Sequence, residues 1–111
     1  MNALSSQTFV LAGTATVREA AAIAAELQQA LAAPGRLAID CTSLTDVDLS
    51  VVQLLVATHR TAATAGKPLH LIAPTAGPLQ ALLRQAGFVS SDGRPLTPEG
   101  QFWINAEGKA A

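Results

Sequence analysis

The chain has 111 residues, of which 50% are hydrophobic and 14% are charged, and its formal net charge is −1. This length predicts a single domain spanning residues 1–111, with enough apolar residues for one core. The near-neutral charge and the lack of a basic run argue against a nucleic-acid partner.

The cysteine count and the hydropathy pattern bear on location. Cys41 is the only cysteine and cannot form an internal disulfide, which is typical of a reducing compartment. No basic-then-apolar leader opens the sequence, and no apolar run approaches the roughly 20 residues of a membrane span. We therefore expect a cytoplasmic domain that does not insert directly into a membrane.

The first third of the sequence predicts a strand followed by a helix. β-favouring residues over 7–12 predict a strand, and residues 14–16 a short extended piece. Thr16 and Glu19 match a capping box and predict a helix over residues 17–33. The predicted core-facing stripe of this helix consists of Val17, Ala20, Ala24, Leu27 and Leu31.

The middle of the sequence, residues 37–65, has the pattern of a strand, a polar connection and a long helix. The strand ends at Asp40, and residues 41–46 form the predicted connection. Ser50 is the predicted N-cap of the helix, because its hydroxyl can accept from free backbone N–H groups. Gln53 follows three residues later and completes a capping box.

The last third predicts one more strand and one more helix. Residues 69–73 form the strand, and Pro78 lies in the first turn of a helix that ends at a left-handed Gly87. Residues 97–107 fit a helix or a short strand, and we favour the helix. The alternation of strands and helices predicts an α/β domain with a four- to five-stranded mixed, mostly parallel sheet and three to four helices.

The start of the second helix is apolar in nearly every direction around two turns. A helix packed on one face of a sheet needs only one apolar stripe, so the surplus predicts either extra core or a surface for a partner. We predict a partner-binding surface that consists of Asp48, Leu49, Ser50, Val51, Val52, Gln53 and Leu54.

The sequence offers no set of residues for catalysis or metal binding. His59 lies nine residues after Ser50, about 13 Å along a helix, which is too far for a hydrogen-bonded pair. The histidines and Cys41 lack metal-ligand spacing. We predict no catalytic residue, no metal and no cofactor, a buried Cys41, and a C-terminal segment anchored by Phe102 and Trp103.

Residues 48–55, DLSVVQLL, resemble the start of the second long helix in STAS domains, the fold of bacterial anti-sigma-factor antagonists. Asp48 matches the aspartate of the family motif, and Ser50 matches the serine that is phosphorylated in the antagonists. Val51 departs from the pattern, because the family usually has glycine there.

The wider resemblance covers residues 8–89 and leaves residues 90–111 as a C-terminal extension. It implies a non-enzymatic module that binds a protein partner, either an anti-sigma factor or related serine kinase or a chemotaxis signalling component. Ser50 is then the candidate phosphoacceptor, and its phosphorylation would break the binding. The surface is also compatible with a homodimer.

The resemblance implies a second role as well. Some STAS domains serve as accessory subunits of lipid-transport ABC complexes and are not phosphorylated. In that role Ser50 would only cap its helix.

Overall fold

The computed structural model of the protein describes residues 6–74, 77–90, 94, 96, 102 and 103. The elements are β1 (Ser6–Val10), β2 (Gly13–Ala15), α1 (Ala20–Ala32), β3 (Arg36–Asp40), β4 (Leu44–Val47), α2 (Leu49–Ala65), β5 (Leu69–Ile72) and α3 (Pro78–Gln85). The described residues therefore form an α/β fold with five strands and three helices, and the predicted fold class is confirmed.

Strand β3 lies at the centre of the sheet, between β1 and β5, and both pairings are parallel. Its side chains Leu37 and Ile39 are fully buried. Strands β2 and β4 form a second parallel pair, with a register shift. The Leu11 N–H donates to the Asp40 carbonyl, so only a short break separates the β1–β3 pairing from the β2–β4 pairing. The carboxyl ends of β1, β3 and β5 thus lie at one edge.

The predicted polar connection over residues 41–46 was wrong, because it contains most of strand β4. This strand is preceded by a turn. In the turn, Asp40 Oδ1 accepts hydrogen bonds from the Thr42 N–H (2.9 Å) and from the Thr42 hydroxyl (2.7 Å). In β4 itself Leu44 is buried and Val47 is half-buried. The two residues between them are polar and exposed, so the sequence pattern here does not indicate a strand.

Helix α1 begins at Ala20, three residues later than predicted. Thr16 and Glu19 do interact, but Glu19 Oε1 accepts from both the N–H and the hydroxyl of Thr16, each at 2.9 Å, which closes a separate turn before the helix. Val17 lies in that turn and is exposed, so its predicted place in the core was wrong. The buried side chains of α1 are those of Ile23 and Leu27.

Two helices are followed by left-handed glycines. Gly66 ends α2 in the left-handed conformation (φ 70°), and Gly87 takes the predicted left-handed conformation (φ 87°) after α3.

A lysine joins the C-terminal ends of α1 and α2. Next to Gly66, Lys67 Nζ donates to the carbonyls of Gly35 (2.7 Å) and Ala33, just after α1. The ammonium group therefore neutralises carbonyl groups at the C-terminal end of α1.

The C-terminal extension contributes two aromatic side chains to the core. Phe102 and Trp103 are both helical and buried, which confirms their prediction as anchors. The rings of Trp103 and Phe88 form a T-shaped pair with a centroid distance of 5.8 Å, and the centroid of the Trp103 ring lies 5.0 Å from that of Phe102. The rest of the predicted helix over residues 97–107 lies outside the described residues.

Candidate functional site

Helix α2 is capped by Asp48, so the prediction of Ser50 as N-cap was wrong. Asp48 has extended backbone (φ −125°, ψ 178°), and its Oδ1 accepts a hydrogen bond from the Ser50 N–H at 3.1 Å. Ser50 is consequently the second residue of the helix. The predicted Ser50–Gln53 capping box is absent from the described hydrogen bonds, because Asp48 already occupies the Ser50 amide.

The Asp48 carboxylate also holds two further donors. Ser50 Oγ donates to Oδ1 at 2.6 Å, and the Val17 N–H donates to Oδ2 at 2.9 Å. We call the three bonds, from Ser50 N–H, Ser50 Oγ and Val17 N–H to one carboxylate, the Asp48 clamp. The clamp ties the start of α2 to the turn before α1, across a sequence separation of 31 residues.

Hydrogen bonding favours the ionised form of Asp48. The hydrogen bond from the Ser50 hydroxyl is the main reason that the pKa of Asp48 lies below its ordinary value. Desolvation opposes this effect, and the backbone N–H groups of Val17, Val51 and Ser50 add to it. The position at a helix N-terminus also favours a negative charge. Asp48 therefore carries a full negative charge next to Ser50 at neutral pH.

The seven residues predicted as a partner-binding surface divide into two groups. Val51 and Val52 are fully buried in the core and have no surface to offer, so their inclusion was wrong. Leu49 is 43% exposed, although it is a large apolar residue. The members that reach the surface, which we call the Ser50 surface, are Asp48, Leu49, Ser50, Gln53 and Leu54.

A residue outside the predicted set lies beside this surface. Val17 is 66% exposed, and the Asp48 clamp holds its backbone next to the start of α2. Two of the exposed large apolar residues, Val17 and Leu49, therefore flank the same carboxylate. Sequence reasoning missed Val17 because the contact joins two distant segments and because Val17 fits a helical core stripe equally well.

The remaining reactive side chains lie elsewhere. Burial raises the pKa of the Cys41 thiol to about 12, with a further contribution from the charge of Asp40, so the thiol stays protonated. The centroid of the His59 ring lies 4.8 Å from that of Phe102, and its buried Nδ1 has no hydrogen-bond partner among the described residues. His70 is exposed on β5.

Among residues 6–74, 77–90 and the four isolated ones, no group of three His, Cys, Asp or Glu side chains is arranged to hold a metal ion. In the same residues, no helix has both the length and the hydrophobicity needed to cross a membrane.

Comparison with protein families decides the family. A family model described as "Mlab, STAS domain" matches residues 2–91, which is most of the chain. The chain belongs to the STAS domain family. A search of curated proteins gives no significant match.

Family membership sets the general character of this STAS domain. STAS domains are generally non-enzymatic and mediate protein–protein interactions, and the match supports a regulatory module similar to the anti-sigma-factor antagonists. Asp48 and Ser50 lie within the matched residues, whereas Phe102 and Trp103 lie beyond them. The core of this STAS domain therefore includes residues from outside the matched region.

Proposed function

We propose that this STAS domain is a cytoplasmic regulatory module of bacterial signalling that binds a protein partner through the Ser50 surface and releases it when Ser50 is phosphorylated. The partner is an anti-sigma factor or related serine kinase, or a chemotaxis signalling component. The observation that carries the proposal is a half-buried Ser50 whose hydroxyl donates to the ionised Asp48, next to the exposed Leu49.

Leu49 favours the binding of a partner. A large apolar side chain that is 43% exposed loses contact with water when a partner covers it, which favours association. Gln53, one turn further along the same side of the helix, extends this contact. The buried valines beneath them fix the position of the helix, so the surface is preformed.

The charge of a phosphate on Ser50 favours release of the partner. A phosphate on Ser50 adds about −1.5 to −2 charges beside the carboxylate of Asp48. A partner that covers Leu49 would have to remove water from both groups, and burying an unpaired charge costs several kcal/mol. The fold itself tolerates the phosphate better, because a helix N-terminus favours anions.

The test is a binding measurement with a partner identified by co-purification from the native host. We expect Leu49→Asp and Ser50→Asp each to weaken the affinity of the purified pair by at least roughly tenfold. The matched control is Thr64→Asp, which adds the same charge to an exposed position about 21 Å beyond Ser50 along the same helix and is expected to leave the affinity unchanged. Wild-type affinity in both Leu49→Asp and Ser50→Asp would contradict the proposal.

A second function is favoured by the hydrogen bond of the Ser50 hydroxyl. Because Ser50 Oγ already holds the Asp48 carboxylate at 2.6 Å, the serine has a structural role that needs no phosphate. This fits an accessory STAS subunit of a lipid-transport ABC complex. Co-purification with an ATPase at an affinity unchanged by Ser50→Asp would support this function over the first.

A homodimer through the Ser50 surface is a further outcome, which sedimentation velocity of the Leu49→Asp variant would distinguish.

A further inference from the structure

The Asp48 clamp connects the candidate phosphoacceptor to a second piece of surface. Asp48 Oδ1 holds Ser50, and Oδ2 of the same carboxylate holds the Val17 N–H. A change at Ser50 that moves this carboxylate must therefore also change the position of Val17. Among the described residues no other side-chain hydrogen bond joins this turn to α2.

We propose that phosphorylation of Ser50 opens the Asp48 clamp and releases the turn that carries Val17, so that the phosphate alters the surface on both sides of Asp48. This inference rests on the proposed function, because it describes the regulation of the same site. It assigns Asp48 the role of a positioning residue that acts through Val17.

The covalent step removes one bond of the clamp. A kinase transfers the terminal phosphoryl group of a nucleoside triphosphate to Ser50: the Oγ–P bond forms, the bond from phosphorus to the departing nucleoside diphosphate breaks, and the Oγ proton leaves to solvent. The Asp48 carboxylate, 2.6 Å from Oγ, is the nearest acceptor on that proton's path. Once the proton has gone, the hydroxyl can no longer donate to Asp48.

The new phosphate then competes with Asp48 for the remaining donor in α2. The amides of Val51 and Val52 donate to the Asp48 main-chain carbonyl, whereas the Ser50 amide donates to the Asp48 side chain. Two anions, the phosphate and the carboxylate, would share that one amide at close range. Their repulsion favours the state in which the carboxylate moves away, since it has already lost the hydrogen bond from the Ser50 hydroxyl.

The turn is built to move as a unit when the carboxylate leaves. Glu19 Oε1 accepts from the N–H and hydroxyl of Thr16, and the Glu19 N–H donates back to the Thr16 carbonyl at 2.9 Å. These bonds do not involve Asp48, so they persist. Only the Val17 N–H loses its hydrogen-bond acceptor, and it then donates to water instead.

The experiment compares amide exchange with water, measured by NMR, in the unmodified full chain and in the chain with phosphoserine introduced at position 50. We expect the Val17 amide to exchange faster by on the order of ten- to a hundredfold after phosphorylation, because it loses a hydrogen bond to a charged acceptor. Exchange of the buried Leu27 and Leu71 amides should stay unchanged, which excludes general destabilisation.

Two variants separate charge from hydrogen bonding. Ser50→Ala removes the hydroxyl without adding charge, and we expect Val17 to stay protected. Asp48→Ala removes the acceptor, and Val17 should exchange as fast as in the phosphorylated chain. Unchanged Val17 exchange in a fully phosphorylated chain would overturn the inference. This measurement needs neither a partner nor the native kinase, so its failure is distinguishable from failure of the proposed function.

Discussion

Leu49 and Val51 are two residues apart in α2, and yet Leu49 is 43% exposed while Val51 is fully buried. The α-helical repeat of 3.6 residues places them about 200° apart around the helix, so one faces solvent and the other faces the core. The position that departs from the family's usual glycine is thus a packing position, whereas the neighbouring leucine is free to contact a partner.

The first prediction separates these two roles. We expect Val51→Ala to lower the free energy of unfolding by about 2 kcal/mol, since it removes two buried methyl groups and leaves a cavity. Leu49→Ala should change it by less than about 0.5 kcal/mol. Urea denaturation of the two variants beside the wild type measures both values. Equal losses in the two variants would contradict the assignment of Val51 to the core and Leu49 to the surface.

The second prediction concerns acid stability and Asp48. Hydrogen bonds lower the pKa of folded Asp48, so the unfolded chain binds more protons as pH falls through the ordinary aspartate pKa of about 3.9. The contribution of Asp48 to stability is therefore full above about pH 5 and is lost as pH falls below about 4 through the lowered value.

The measurement is the free energy of unfolding between roughly pH 3 and pH 6. We expect the Asp48→Asn variant to show a flatter dependence on pH than the wild type. Asp46→Asn is the matched control, because Asp46 is exposed and its carboxylate makes no hydrogen bond with a described residue. An Asp48→Asn slope as steep as that of Asp46→Asn would mean that the clamp does not depend on the charge.

The third prediction concerns the lysine that joins α1 and α2. Lys67→Met should lower the free energy of unfolding by about 1–2 kcal/mol, because the carbonyls of Ala33 and Gly35 lose a charged donor and are only partly exposed to replacement water. Arg36→Met is the control in the same region, with an exposed side chain and an expected change below about 0.5 kcal/mol. Thermal and urea denaturation would detect the difference.

The fourth prediction concerns the C-terminal extension. Trp103→Ala should cost roughly 3–5 kcal/mol, the range for deleting a large buried aromatic side chain. Leu96→Ala, at an exposed apolar position, should cost less than about 0.5 kcal/mol. Because Trp103 is the only tryptophan, its fluorescence in the wild type should report unfolding of the core directly. A Trp103→Ala variant as stable as the wild type would show that the extension is dispensable.

Local patterns in the sequence predicted most of the fold. The strands around Leu37 and Leu71 are apolar runs, and the helices carry periodic stripes or proline and glycine at their ends. Strand β4 could not be predicted in this way. Its residues are half polar, and the strand exists because β2, far earlier in the chain, pairs with it. Such non-local pairing leaves no local periodicity to read.

The candidate site was predicted in outline but not in geometry. Both Asp48 and Ser50 are good N-cap residues two positions apart, and propensity alone does not choose between them. Tertiary structure favours Asp48, because its second carboxylate oxygen also accepts from the Val17 N–H. The apolar surplus at the start of α2 was correctly noticed, but Val51 and Val52 fill the core rather than a surface.

The central claim is that Ser50 is a phosphorylation switch, and the most direct test is phosphopeptide mapping of the protein purified from its native host, with and without phosphatase treatment. We predict that the peptide containing Ser50 carries one phosphate under some growth conditions and that phosphatase removes it. A Ser50 peptide that stays unmodified under every growth condition would contradict the switch, and Ser50 would then serve only to hold Asp48 in the clamp.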